Sequence, residues 1–313
     1  MAKIAFVFPG QGSQYIGMGK NLADNFPQVA KLFSLADQTL GIELTNLCFN
    51  GPEDELQKTI NTQPAILTAS IACYEVLREK GLEPEAVAGH SLGEYSALVA
   101  AGVLDFPSAL KLVRKRGELM QEAAAQGVGG MAAILGLDSD KIREACQEAG
   151  SLGIVEPVNF NCPGQVVIAG EDQALEEALR LAKEKGAKRA VKLAVSGPFH
   201  STLMKPASEK LALELKQLNL KDAQIPVVSN VDGQYRSRKE DIEEALIKQV
   251  YNSVQWEVTI KNMVSQGVDT FVEVGPGKVL SGLIKKIHKG ASILNVEDLE
   301  SLEKTLDYLK GVQ

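Results

Sequence analysis

The stretch Val87-Ala88-Gly89-His90-Ser91-Leu92-Gly93-Glu94 constrains the fold more than any other part of this chain. Ala86, Val87 and Ala88 are small and apolar, as at the end of a buried strand, and Tyr95 to Ala101 reads as a helix that stops at Gly102. Between them sits Gly-x-Ser-x-Gly. A strand that turns directly into a helix leaves no room for β-carbons two residues either side of the serine, hence Gly89 and Gly93. Ser91 is thereby lifted into a cleft at the amino end of the following helix. There the Leu92 N–H and the helix dipole face any oxyanion that develops. A glycine-rich turn can also match this pattern by chance; the strand before it and the helix after it favour a nucleophile.

A chain of 313 residues accommodates one large domain, or a large and a small one. With 45% hydrophobic and 23% charged residues it has the balance of a soluble globular enzyme. No run approaches eighteen apolar residues, and the opening Met1 to Gly10 is broken by Pro9 too soon for a signal peptide. A cytoplasmic location without a membrane partner is therefore expected. The net charge of −7 argues against nucleic acid. Cys48, Cys73, Cys146 and Cys162 form no C-x-x-C pair, which leaves zinc and redox-motif readings unsupported and predicts buried thiols and no metal site.

Ile4 to Phe8 is a continuous apolar run of strand length, suited to a parallel sheet covered on both faces. The following Gly10-Gln11-Gly12-Ser13-Gln14 fits neither phosphate-binding pattern, because Tyr15 stands where G-x-G-x-x-G needs glycine and no G-K-[ST] follows. A loop at the carboxyl end of a strand can instead turn the Gln11 N–H toward the cleft as a second oxyanion donor. Helices are expected around Pro27 to Leu40 and Gln63 to Glu79, with Pro64 near the start of the second.

Pro107 to Ala125 reads as a helix with an apolar face of Ala109, Leu112, Val113, Leu119 and Met120, opposite Lys111, Arg114, Lys115 and Glu118. Arg116 falls in the middle of the apolar face. A guanidinium there must reach water, pair with a core carboxylate, or wait for an anionic substrate.

After the glycine-rich break at 126–130, the pattern becomes strand Met131 to Leu135, helix Ser139 to Ala149, strands Ile154 to Phe160 and Val166 to Gly170, helix Gln173 to Lys185, and strand Arg189 to Val195. That βαββαβ order is ferredoxin-like and complete in itself. It predicts a small inserted domain at 127–197, with 1–126 and 198–313 forming a large α/β domain on a parallel sheet. Asn159 to Gly164 reads as the central hairpin turn, where the side chains of Asn159 and Asn161 either face the cleft or shape the turn. In the returning part, helices are expected at Ser208 to Leu218, Glu240 to Asn252 and Val279 to His288, with strands at Ile225 to Asn230, Asp269 to Val274 and Ser292 to Val296.

A seryl nucleophile needs a base, and the chain has three histidines. His288 lies in a basic run, Lys285 to Lys289, and reads as a solvated helix residue. His90 is adjacent to Ser91, so its side chain leaves the elbow in another direction. His200, on the irregular loop Ser196 to Ser201 where the small domain rejoins the large one, remains.

With Gly10-Gln11-Gly12-Ser13-Gln14, Gly89-His90-Ser91-Leu92-Gly93-Glu94, Arg116, Gly197-Pro198-Phe199-His200-Ser201 and Val274-Gly275-Pro276-Gly277, the chain resembles the malonyl-CoA:acyl carrier protein transacylases almost end to end. The resemblance implies an α/β-hydrolase-like large domain and a ping-pong transfer of malonyl from coenzyme A to the phosphopantetheine thiol of acyl carrier protein, without a permanently bound cofactor. It also implies that Ser91 is the nucleophile, His200 its base, Arg116 the partner of the malonyl carboxylate, and Gln11 and Leu92 the oxyanion donors. Gln249 matches a glutamine whose main-chain carbonyl orients the histidine. The acidic carrier protein of such a pathway would dock on a basic patch, for which Lys183, Lys185, Lys188 and Arg189, or Lys285, Lys286 and Lys289, are available. The residues alone do not separate transfer from hydrolysis by a serine esterase or thioesterase with the same Ser-His pair, nor from non-catalytic binding of an acyl-CoA, which would form no covalent intermediate.

Overall fold

A computed structural model of the chain describes residues 3–126, 129–195 and 197–312. Ten strands run through them: β1 (Ile4–Phe8), β2 (Ala86–Gly89), β3 (Gly129–Leu135), β4 (Val155–Cys162), β5 (Gln165–Glu171), β6 (Arg189–Lys192), β7 (Val227–Val228), β8 (Tyr235–Arg236), β9 (Thr270–Val274) and β10 (Ser292–Val296). They form two sheets.

The larger sheet has the order β10-β9-β1-β2-β7-β8, with every neighbouring pair parallel except the edge pair β7/β8. All five residues of β1 are buried, because helices cover both faces of a parallel sheet. β1, β2, β7 and β8 follow one another toward one edge, whereas β9 and β10 step from β1 toward the other, so the direction of the chain changes beside β1. The loops that follow the parallel neighbours β1 and β2 lie together outside their carboxyl ends, where open α/β sheets bind ligands.

The smaller sheet is antiparallel, in the order β4-β5-β3-β6. One face carries helices Ser139–Ala149 and Asp172–Glu184 over a core of its own, including Ile134, Ile142, Val166, Ile168 and Leu175. The other face turns Met131, Val158, Val167 and Ala169 toward the main core.

Several expectations shift. The helix expected from Gln63 begins at Thr59 and runs to Glu79, so Pro64 lies inside it. The glycine-rich break is shorter than expected: Gly129 and Gly130 already belong to β3, while residues 127 and 128, like Ser196 in the loop before His200, lie outside the described residues. Asn159 to Cys162 is strand, with register shifts between Pro157 and Asn159 and between Phe160 and Cys162, which confines the hairpin turn to Pro163-Gly164. Asn159 and Asn161 therefore do not shape that turn. Helices Trp256–Ser265 and Leu299–Val312, the edge strand β8 and the short helices between residues 20 and 56 were not anticipated. All four cysteines are buried free thiols. Among the described residues, no helix is long and apolar enough to cross a membrane, and no group of three or more His, Cys, Asp or Glu could hold a metal ion.

Candidate active site

The turn between β2 and helix Gly93–Ala100 is as tight as the sequence demands. A β-carbon on Gly89 would stand 1.9 Å from the Gly93 carbonyl, and one on Gly93 would stand 2.0 Å from the Phe8 oxygen. Ser91 at its apex has φ of 51°, a left-handed conformation that costs a non-glycine residue about 1–3 kcal/mol and persists only where the surroundings enforce it. Asn230, just beyond β7, supplies that enforcement. Its Oδ1 accepts from the Ser91 N–H at 2.7 Å, and its Nδ2 donates to the Gly89 carbonyl at 2.6 Å.

His200 Nε2 lies 2.7 Å from Ser91 Oγ. The histidine is 4% exposed and has φ of 64°, so it too occupies a strained backbone position. Its Nδ1 faces the Gln249 main-chain carbonyl at 2.8 Å. A carbonyl can only accept, so Nδ1 carries the proton and Nε2 presents its lone pair to the serine. Burial, then the positive charge of Arg116, push the His200 pKa down to about 3, against the opposing pull of the Gln249 carbonyl. The imidazole is consequently neutral at physiological pH and able to accept a proton. The loop bearing His200 is tied to the small sheet, where Glu156 accepts from the Thr202 N–H at 2.7 Å and hydroxyl at 3.0 Å.

His90 points away, as expected: its Nε2 meets Asn161 Oδ1 at 2.8 Å and its ring lies 5.6 Å from that of Trp256. His288 caps the end of helix Val279–Ile287, partly exposed.

Arg116 is 1% exposed in the middle of helix Phe106–Gln126, with Ala109, Leu112, Val113, Leu119 and Met120 all buried around it. Its Nη1 donates to Gln63 Oε1 at 2.8 Å, and its Nη2 donates to Gln249 Oε1 at 3.0 Å and to Ser91 Oγ at 3.1 Å. The guanidinium carbon sits 5.3 Å from the centre of the Tyr95 ring. Among the described residues no carboxylate lies within ion-pair distance, and Nε has no hydrogen-bond partner. Burial accordingly lowers the Arg116 pKa. Of the readings left open by the helical wheel, pairing with a core carboxylate and escape to water both fail. A desolvated cation held by neutral acceptors is chemically able to take an anion.

Gln11, Ser91, Leu92, Arg116, Asn159 and His200 line one cavity. The loop bearing Gln11 packs directly on the elbow, because Gly10 lies so close to the His90 carbonyl that a β-carbon would come within 2.3 Å of its oxygen. Leu92 immediately precedes helix Gly93–Ala100. Asn159 Oδ1 is buried there without a hydrogen-bond partner among the described residues. Of the two basic patches, Lys185 is already ion-paired with Glu144 and Glu148, and Lys286 donates to Gln165.

Three contributors escaped the sequence reading: Gln63, Asn230 and Glu94. The last had a visible signal, since Glu94 opens a helix whose other residues are apolar or small and which must be buried on all sides. It is 2% exposed, and burial pushes its pKa up to about 7.

Known proteins resemble this chain over nearly its whole length. Residues 5–304 match the family model of the acyl transferase domain. The malonyl CoA-acyl carrier protein transacylase of Bacillus subtilis (strain 168) is 52% identical over 311 residues, 99% of this chain and 98% of its own. An acyl carrier protein S-malonyltransferase from Vibrio cholerae O1 biovar eltor str. N16961 superposes with a TM-score of 0.95 at 49% identity, over 97% of this chain and 100% of that one. A malonyl-transacylase solved in complex with its type II polyketide synthase acyl-carrier protein gives a TM-score of 0.96 at 51% identity, over 98% of this chain and 100% of its own. The chain belongs to the malonyl-CoA:acyl carrier protein transacylases, within the acyl transferase family.

Proposed function

We propose that this chain transfers a malonyl group from malonyl-CoA to the phosphopantetheine thiol of acyl carrier protein, through a malonyl ester of Ser91, in fatty acid biosynthesis in the cytoplasm. The observation that carries the reading is Arg116, a buried cation with no carboxylate partner among the described residues, 3.1 Å from the Ser91 hydroxyl.

The chemistry runs in two symmetrical halves. Ser91 Oγ attacks the thioester carbonyl while His200 Nε2 takes its proton. Gln11 and Leu92 offer their N–H groups to the resulting oxyanion. When the tetrahedral intermediate collapses, the carbon–sulfur bond breaks and the coenzyme A sulfur leaves with the proton held on His200. The carrier thiol then gives its proton to His200, its sulfur attacks the carbonyl of the seryl ester, the ester carbon–oxygen bond breaks, and the proton on His200 returns to Ser91 Oγ. Side chains and main-chain groups of this chain carry every step. Throughout, Arg116 holds the free carboxylate of the malonyl group, an interaction that acetyl cannot make. Charge-assisted hydrogen bonds are worth roughly 1.5–3 kcal/mol, or about ten- to a hundredfold in preference for malonyl.

The same reading assigns residues 127–197 to a ferredoxin-like domain inserted into an α/β-hydrolase-like domain of residues 1–126 and 198–313. Two observations support it: the antiparallel order β4-β5-β3-β6 with both helices on one face, and the separate apolar core beneath them. On this reading the inserted domain lines the cavity around Ser91 with Met131, Asn159, Leu193 and Val195, while Asn161 meets His90 beside the elbow.

The test is a steady-state transfer assay with malonyl-CoA and holo-acyl carrier protein, both varied. Parallel double-reciprocal lines and malonyl-carrier product are expected. Intersecting lines, or free malonate as the main product, would contradict the scheme.

A further inference from the structure

The Gln249 side chain makes contacts that the proton-transfer scheme does not use. Its Oε1 accepts from Arg116 Nη2 at 3.0 Å, while its Nε2 donates to the Ser91 carbonyl at 2.9 Å and to Glu94 Oε2 at 2.7 Å. A carboxamide has one accepting end and one donating end, and a half-turn exchanges them. After such a turn the NH2 group would face the Arg116 guanidinium, donor against donor, and the oxygen would face two acceptors. Glu94 opposes that turn. The same Oε2 also takes the Asn230 N–H at 3.3 Å, so one buried oxygen collects two donors.

The geometry points to Glu94 as a positioning residue for substrate selection: by accepting from the Gln249 carboxamide, it fixes which end of that amide meets Arg116. The guanidinium is thereby held where a substrate carboxylate reaches it beside Ser91. This inference rests on the reading of Arg116 above. Glu94 acts through Gln249 and touches no reacting atom. Its function here needs an acceptor oxygen, which a glutamine in its place would still offer and a methionine would not.

The test compares the wild-type enzyme with Glu94→Met and Glu94→Gln. For each, the initial rate of Ser91 acylation by malonyl-CoA and by acetyl-CoA is read as intact mass. A third reagent, an uncharged phosphonofluoridate, reports on Ser91 and His200 and offers Arg116 no carboxylate. The expected result is a malonyl-over-acetyl ratio lowered about tenfold in Glu94→Met, the scale of one hydrogen bond to a charged group, with phosphonylation much less affected and most of the ratio recovered in Glu94→Gln. An unchanged ratio in Glu94→Met, or an equal fall with all three reagents, overturns the inference. So does loss of phosphonylation in both variants, which would make Glu94 a folding residue. A wild-type enzyme that shows no preference for malonyl overturns the reading of Arg116 and this inference with it. A wild-type preference that survives in Glu94→Met overturns this inference alone.

Discussion

Ser91 Oγ and His200 Nε2 stand 2.7 Å apart although 109 residues separate them in the chain, and both residues hold left-handed backbone conformations. Two strained positions that meet at a hydrogen bond indicate a site whose surroundings were built to hold them. Replacing His200 with Ala removes the proton acceptor and leaves Ser91 in place. Single-turnover acylation by malonyl-CoA is expected to slow by about 10²–10⁴-fold, the usual span of general-base assistance. A loss under tenfold would assign the base elsewhere.

The proposed function assigns the discrimination between acyl groups to Arg116. Replacing it with Ala should reduce the malonyl-over-acetyl ratio of Ser91 acylation by about ten- to a hundredfold while acetyl transfer changes much less, because only malonyl offers the carboxylate. Competition between the two thioesters, followed by mass spectrometry, reads the ratio directly. Retention of the wild-type ratio would leave the buried cation without a purpose in substrate selection.

The pH dependence follows from the depressed His200 pKa. Since the imidazole stays neutral down to about pH 3, phosphonylation of Ser91 by an uncharged reagent should show no acid limb near the ordinary histidine value of about 6.5. The positive charge of Arg116 is the second cause of the depression, after burial. Removing it in Arg116→Met should move the acid limb upward, though still below 6.5 because burial persists. A stopped-flow pH profile of both proteins checks the sign. A limb at 6.5 in the wild type, or a downward shift in the variant, would contradict it.

The elbow itself makes a structural prediction. A methyl group at position 93 would meet the Phe8 oxygen at 2.0 Å, main chain against main chain, where no side chain can move aside. Gly93→Ala should therefore destabilise the fold by about 3 kcal/mol or more, measured by denaturant unfolding. Gly12→Ala is the contrast, since a β-carbon there meets nothing within 4 Å, although φ of 100° still imposes strain. Equal stability of the two variants would mean that the turn is not as tight as described.

What the sequence disclosed, and what it hid, divides along the range of the interactions. The elbow was legible because strand, turn and helix are consecutive, and the same holds for the alternation of β3 to β6 with their two helices. Arg116 stood out on its wheel, yet its partners Gln63, Ser91 and Gln249 lie 53, 25 and 133 residues away, so the helix could not choose between anion site and ion pair. Asn159 to Gly164 misled because Asn, Pro and Gly together signal a turn. Irregular pairing lets β4 continue through the two asparagines, and the parallel bridge of Asn159 with Val254 anchors them to the segment just before helix Trp256–Ser265. The role of Gln249 came only with the family likeness, and Asn230 gave no local signal because its contacts with Gly89, Ser91 and Glu94 are all tertiary.

The central claim is that an acyl group rests on Ser91 between the two half-reactions. Intact-mass measurement of the protein after exposure to malonyl-CoA, before and after addition of holo-acyl carrier protein, tests it most directly. The account predicts one malonyl adduct on the wild-type chain, none on Ser91→Ala, and loss of the adduct with matching gain of mass on the carrier. An adduct on Ser91→Ala, or transfer to the carrier with no adduct ever formed, would contradict it.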